Sequence, residues 1–72
     1  MLARVTQRRI DYTVRLFRRL GFSAAQARHR GLLAFTAYLG HAQLAHATPE
    51  HVPTGAARQR YLDHVIAALT AR

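Results

Sequence analysis

The hydrophobic positions of this chain recur at helical spacing along most of its length. Ile10, Val14 and Phe17 follow steps of three and four residues, with arginines between them, which is the pattern of an amphipathic helix. Two further stretches with helical spacing follow, in residues 24–47 and 55–71. No run alternates between apolar and polar residues, as a half-buried strand does. The pattern therefore predicts an all-α fold.

Two breaks divide the predicted helices. Gly21 suits the left-handed residue that ends many helices, and Ser23, followed three residues later by Gln26, has the form of a capping box. Pro49 and Pro53 prevent a continuous helix across the second break. We therefore predict a single helical segment over residues 1–72, with α1 at about 2–19, α2 at about 24–47 and α3 at about 55–71.

The second helix, α2, is apolar on nearly every side. Leu32, Phe35 and Leu39 define a bulky face, and small residues line another face. Gly31 and Gly40 each cost about 1 kcal/mol of helix propensity relative to alanine, so we expect a packing reason for both. A helix that is apolar all round is normally buried. With only two other helices in the chain, one face of α2 is left without a partner.

We interpret this surplus face as a surface for a second copy of the chain. In this interpretation α2 and α3 form an antiparallel hairpin, and two hairpins related by a two-fold axis close a four-helix bundle. The homodimer interface predicted on this basis comprises Ala27, Gly31, Ala34, Tyr38, His41, Ala45, Tyr61, Leu62, Val65 and Leu69. His41 is expected at a seam between helices.

The charge of the chain suggests an alternative function. All 11 basic residues are arginines, the formal net charge is +8, and such a charge attracts nucleic acid and other polyanions. Arginines on solvated faces, with Asp11 pairing to Arg15 along α1, explain the same composition. Tyr12 and Phe17 fall towards the apolar side of α1, whereas stacking on bases requires aromatics among the basic residues. We therefore keep a free-standing polyanion-binding protein as the alternative and expect no direct DNA binding by this chain.

The remaining polar residues give little sign of catalysis or of a cofactor. Successive histidines at positions 41, 46 and 51 are five residues apart, so neither neighbouring pair shares a helix face, and we expect no metal site. The three acidic residues lie on three different segments, and Ser23 is better explained as a helix cap than as a nucleophile. We predict that the chain is not an enzyme and binds no cofactor.

Sequence features also bear on the compartment of the protein. Cysteine is absent, which excludes disulfides and thiolate metal sites and is compatible with a cytoplasmic location. No apolar run approaches the roughly 18–20 residues of a membrane span. Arg4, Arg8 and Arg9 interrupt the N-terminal stretch, so a signal peptide is not expected.

Several short motifs resemble the C-terminal part of TetR-family transcriptional regulators. They are Leu20-Gly21-Phe22-Ser23, Ala27-Arg28-His29-Arg30, Tyr38-Leu39-Gly40, Thr48-Pro49-Glu50 and Tyr61-Leu62-Asp63-His64-Val65. In that family the last two long helices form the four-helix bundle of the dimer, and the resemblance assigns this role to α2 and α3. The chain would then be the dimerisation part of a TetR-like regulator.

The same resemblance implies a position for a small-molecule pocket. In that family the pocket is lined partly by the helix before the turn and by the first bundle helix, so the resemblance implies Phe17, Leu20, Phe35 and Leu39 as candidate wall residues. The family's helix-turn-helix domain is not present in these 72 residues, so DNA binding would belong to the complete regulator and the pocket here would be partial. On this view the chain is a shortened gene product or a fragment of a longer protein.

Overall fold

The computed structural model describes residues 2–72 and is all-helical over that range. Its α-helices are α1 (Leu2–Arg19), α2 (Ala24–Ala47) and α3 (Gly55–Thr70). The three predicted helices are confirmed, and no strand occurs among the described residues. One turn of 3₁₀-helix, Pro49–His51, lies between α2 and α3 and was not predicted.

The end of α1 is closed by a Schellman turn. Gly21 has φ 97°, the left-handed conformation in which glycine carries no steric cost. Its N–H donates to the Arg18 carbonyl at 3.0 Å, and the Phe22 N–H donates to the Phe17 carbonyl at 3.3 Å. The rings of Phe17 and Phe22 meet edge-on with centroids 6.0 Å apart, the apolar contact that accompanies this motif. The sequence L-G-F-S therefore ends α1 by both hydrogen bonding and packing.

The beginning of α2 is held to this turn by two further interactions. Ser23 Oγ accepts a hydrogen bond from the Gln26 N–H at 3.2 Å, which satisfies one of the backbone donors that a helix start leaves unpaired. The Arg30 guanidinium lies over the Phe22 ring, 4.1 Å from its centroid, in cation–π geometry. The predicted capping role of Ser23 is thus present.

Contacts group the chain into two compact units, Met1–Ala37 and Tyr38–Arg72, with the boundary inside α2. The first unit contains all the buried large hydrophobic side chains among the described residues, namely Phe17, Phe22 and Phe35. Between Tyr38 and Arg72 every residue is half-buried or exposed, so the second unit has no buried residue. The two units therefore differ in whether they possess a core.

The two glycines of α2 have different surroundings. Gly31 is buried, and a Cβ atom placed there would lie 2.9 Å from Val14 Cγ2 and 3.1 Å from the Val14 backbone nitrogen. The absence of a side chain at Gly31 thus allows the close approach of α1. A Cβ atom at Gly40 would meet nothing within 4 Å, so the packing reason expected for Gly40 is not found within the chain.

Candidate interaction surfaces

Large hydrophobic side chains are exposed on all three helices. Of the described residues, eleven such side chains expose between 37% and 58% of their surface: Val5, Tyr12, Leu16, Leu20, Leu32, Leu33, Tyr38, Leu39, Leu44, Tyr61 and Ile66. Single exposed leucines are ordinary on protein surfaces. Here, however, the exposed large hydrophobic residues far outnumber the three buried phenylalanines, which marks apolar surface that the chain itself does not cover.

In the second unit, α3 contacts the C-terminal part of α2 through an aromatic pair. The rings of His41 and Tyr61 are stacked, with centroids 5.6 Å apart and an interplanar angle of 20°. On the same side of α3, Leu62, Val65 and Leu69 are half-buried, whereas Ile66 remains 58% exposed. The α3 residues predicted for a dimer interface are therefore partly covered by α2 of the same chain.

The small-residue face of α2 is used inside the first unit. Ala27 is fully buried, Gly31 lies against Val14, and Ala34 is half-buried. These three residues were predicted to contact a second copy; within the chain Ala27 and Gly31 are buried, and Ala34 keeps part of its surface exposed. Two bulky side chains of α2 remain exposed instead: Leu32 at 51% and Leu39 at 44%. Ala45, also predicted at the interface, is exposed.

The four residues that the family resemblance assigned to a ligand pocket have two different environments. Phe17 and Phe35 are buried in the core of the first unit, at 6% and 8% exposure. Leu20 and Leu39 are exposed at 49% and 44%. Two of the four are therefore occupied with core packing.

Arginines form a straight row along the exposed side of α1. Arg4, Arg8, Arg15 and Arg19 are separated by four, seven and four residues, and all four are exposed. These intervals place them within about 60° of one another around the helix, on the side opposite the buried Phe17. In the described part of the chain, none of the four is in an ion pair.

One carboxylate, that of Asp11, lies beside this row without forming an ion pair with it. Asp11 Oδ1 accepts a hydrogen bond from Gln7 Nε2 at 3.1 Å, and the predicted pairing of Asp11 with Arg15 is not found. Tyr12 is 54% exposed and lies one helical turn from both Arg8 and Arg15. The sequence pattern placed Tyr12 on the apolar side of α1, away from the arginines; its spacing of four from Arg8 and three from Arg15 was the signal of its true position.

Among the described residues, no three histidine or acidic side chains come close enough to hold a metal ion. None of the described helices is both long and apolar enough to cross a membrane.

The geometry described above leaves two surfaces for a function, the apolar surface of the second unit and the arginine row of α1. The resemblance to TetR-family regulators rests on the sequence motifs alone. Comparison of the chain with protein-family models, characterised proteins and solved structures gives no match.

Proposed function

We propose that this chain is a self-association segment that forms a homodimer through its second unit, and that it serves as the dimerisation part of a TetR-like regulator. The observation that carries the proposal is the absence of any buried residue between Tyr38 and Arg72. The assignment to a regulator is supported by the sequence motifs around the two helix breaks.

A unit of this kind requires help to remain folded. Compact units below about 40 residues usually depend on disulfides, metals or a partner, because they bury too little apolar surface alone. The second unit comprises residues 38–72, and the chain has no cysteine. No residue from Tyr38 onward is buried. A protein partner is the remaining means of stabilisation.

Charge favours a second copy of the chain as that partner. Residues 38–72 contain three arginines and two acidic residues, a net charge of +1, so two copies of this unit repel one another only weakly. Each copy would contribute the C-terminal part of α2 together with α3. Two helices from each copy are the number that a four-helix bundle needs.

The proposed interface differs from the surface expected from the sequence. It omits Ala27 and Gly31, which are buried within the first unit, and the half-buried Ala34, and it gains three exposed side chains: Leu39, Leu44 and Ile66. The complete proposed interface is Tyr38, Leu39, His41, Leu44, Ala45, Tyr61, Leu62, Val65, Ile66 and Leu69.

A matched pair of variants tests the dimer. Leu44 in the second unit and Val5 in the first are each 50% exposed, so an aspartate at either position replaces an apolar side chain of equal exposure. Complete burial of a leucine contributes about 1.5–3 kcal/mol, so covering the exposed half of Leu44 contributes roughly half of that in each copy of a symmetric dimer. We expect Leu44→Asp to weaken dimerisation at least about tenfold and Val5→Asp to leave it unchanged, as measured by light scattering on a sizing column. A wild-type chain that stays a folded monomer at high micromolar concentration would contradict the proposal.

The role in a regulator is tested by transplantation. The full chain is fused to a helix-turn-helix domain that represses a reporter only as a dimer, because such domains bind two half-sites together. We expect repression with the wild-type chain and with Val5→Asp, and none with Leu44→Asp. Equal repression by all three fusions, or none by the wild type at matched expression, would show that the chain does not supply dimerisation.

A further inference from the structure

The positive charge of the chain is concentrated in its first unit. Residues 1–37 contain eight arginines and one aspartate, a net charge of +7, against +1 for residues 38–72, which together give the total of +8. Self-association through the second unit does not require this charge. A dimer would carry it twice, so the concentration of arginines calls for an explanation of its own.

Two of these arginines make contacts that stabilise the fold. Arg18 Nη1 donates to the Phe22 carbonyl at 2.8 Å, and the Arg30 guanidinium lies over the Phe22 ring. The row formed by Arg4, Arg8, Arg15 and Arg19 has no such role in the described structure. This row is about 22 Å long, because its 15-residue span rises about 1.5 Å per residue. It presents four cations on one face of α1, with the single carboxylate of Asp11 between Arg8 and Arg15 on that face.

An exposed aromatic ring lies beside the gap in this row. Arg8 and Arg15 are seven residues apart, and Tyr12 lies between them along the helix, 54% exposed. Cations at both ends of an aromatic side chain are the arrangement by which proteins hold a single strand, with phosphates on the cations and an unpaired base on the ring. The sequence pattern argued against nucleic-acid binding because it placed Tyr12 on the apolar side of α1. In the structure Tyr12 is exposed beside the arginines, where an unpaired base can stack on it.

The same face is less suited to a lipid surface. An interfacial helix inserts an uninterrupted apolar face below the headgroups. The exposed apolar side chains Val5 and Leu16 flank Arg9, which lies between them on the same side of α1. Insertion of this side into lipid would therefore bury a guanidinium along with the apolar residues.

We propose that the exposed face of α1 binds single-stranded nucleic acid, with phosphates along Arg4, Arg8, Arg15 and Arg19 and one unpaired base stacked on Tyr12. Arginine contacts to phosphate are independent of base sequence, so the proposed binding has little sequence preference. The activity belongs to the first unit and does not depend on dimerisation.

Fluorescence anisotropy with a labelled oligothymidine of about 20 nucleotides tests the proposal on the full chain. Four phosphate contacts to a single strand predict a slope of about −3 in log affinity against log salt, or about a fiftyfold loss of affinity between 50 and 200 mM salt. The double variant Arg8→Gln/Arg15→Gln is expected to halve that slope. The matched control Arg58→Gln/Arg60→Gln, which removes two exposed arginines of α3, is expected to retain the wild-type slope.

Two variants separate stacking from charge. Tyr12→Leu keeps an apolar side chain but removes the ring, and we expect roughly tenfold weaker binding at an unchanged salt slope. Asp11→Asn removes the one carboxylate beside the row, and we expect tighter binding. Circular dichroism of each variant establishes that the helices are retained.

Several results would overturn the proposal. Equal losses in the α1 and α3 double variants would reduce the binding to non-specific charge attraction. Unchanged affinity of Tyr12→Leu, or equal affinity for a duplex of the same length, would exclude stacking of an unpaired base. Binding to anionic lipid vesicles without binding to oligothymidine would assign the face to membranes. Because Leu44→Asp leaves α1 intact, its oligothymidine binding is expected to persist per chain even where the dimer is lost.

Discussion

At the level of single residues, the two glycines of α2 differ in whether a neighbouring helix requires them. Gly31 permits the approach of Val14 on α1, where a Cβ atom would come within 3.1 Å of a backbone nitrogen. A backbone atom cannot move aside as a flexible side chain does, so the helices themselves would have to separate. Gly40 has open space around it and retains only the entropic cost of glycine in a helix.

Alanine substitutions at the two glycines are therefore expected to have opposite effects on the free energy of unfolding. Gly40→Ala should stabilise the chain by about 0.5–1 kcal/mol through helix propensity. Gly31→Ala gains the same propensity, but overpacking against α1 costs about 1–3 kcal/mol, so we expect net destabilisation of about 1 kcal/mol. Urea denaturation followed by circular dichroism measures both, and stabilisation by Gly31→Ala would mean that α1 does not lie this close.

Single residues also mark the limit of what the sequence could predict. The helical cost of Gly31 correctly indicated a close helix crossing, but spacing within α2 cannot tell whether the helix that crosses is α1 or a second copy. The same limit applies to Tyr12. Its spacing from Arg8 and Arg15 can be read from the sequence, but its exposure depends on which side of α1 is covered. Local chemistry was predictable in both cases, and the identity of the neighbour was not.

At the scale of elements, the helix ends are determined by nearby residues. Gly21, with its positive φ, and Ser23, with its accepting hydroxyl, lie at the first break, and Pro49 and Pro53 lie at the second. These signals act over four or five residues, which is why the breaks could be predicted without knowledge of the fold. The packing faces of α2 depend on distant residues: Ala27 and Gly31 are buried within the chain, whereas Leu32 and Leu39 are exposed.

The cap at the start of α2 is expected to contribute measurably to stability. Ser23→Ala removes the acceptor of the Gln26 N–H, and loss of such a cap costs about 1 kcal/mol. In a chain of this size that corresponds to a melting temperature lower by about 4–8 °C. Ser23→Asp retains an acceptor and adds negative charge at the helix start, so thermal melts should show near wild-type stability. Equal losses in both variants would indicate that the serine contributes by something other than capping.

At the scale of the whole molecule, the chain separates two properties between its two units. The first unit has the aromatic core and nearly all the net charge, and the second has neither. The sequence shows both the total charge of +8 and its concentration in residues 1–37. The absence of a core in the second unit was not visible, since its apolar content is ordinary and only the packing shows that none of it is buried.

This division predicts that stability depends on protein concentration. If residues 38–72 are stabilised by a second copy, a tenfold higher concentration favours the folded dimer by about 1.4 kcal/mol. We expect the melting temperature to rise by roughly 3–6 °C for each tenfold increase, in the wild type and in Val5→Asp. Leu44→Asp should melt at a temperature independent of concentration. A concentration-independent melt of the wild type would contradict self-association.

The missing core of residues 38–72 also has a consequence for turnover. A newly made chain that has not met its partner exposes this half to proteases, which cleave segments that open easily. Pairing removes the same half from attack. At low synthesis rates most chains would be degraded before they meet, and at higher rates most would survive, because encounter depends on the square of concentration. The level of the protein in a cell is therefore expected to rise more steeply than its rate of synthesis.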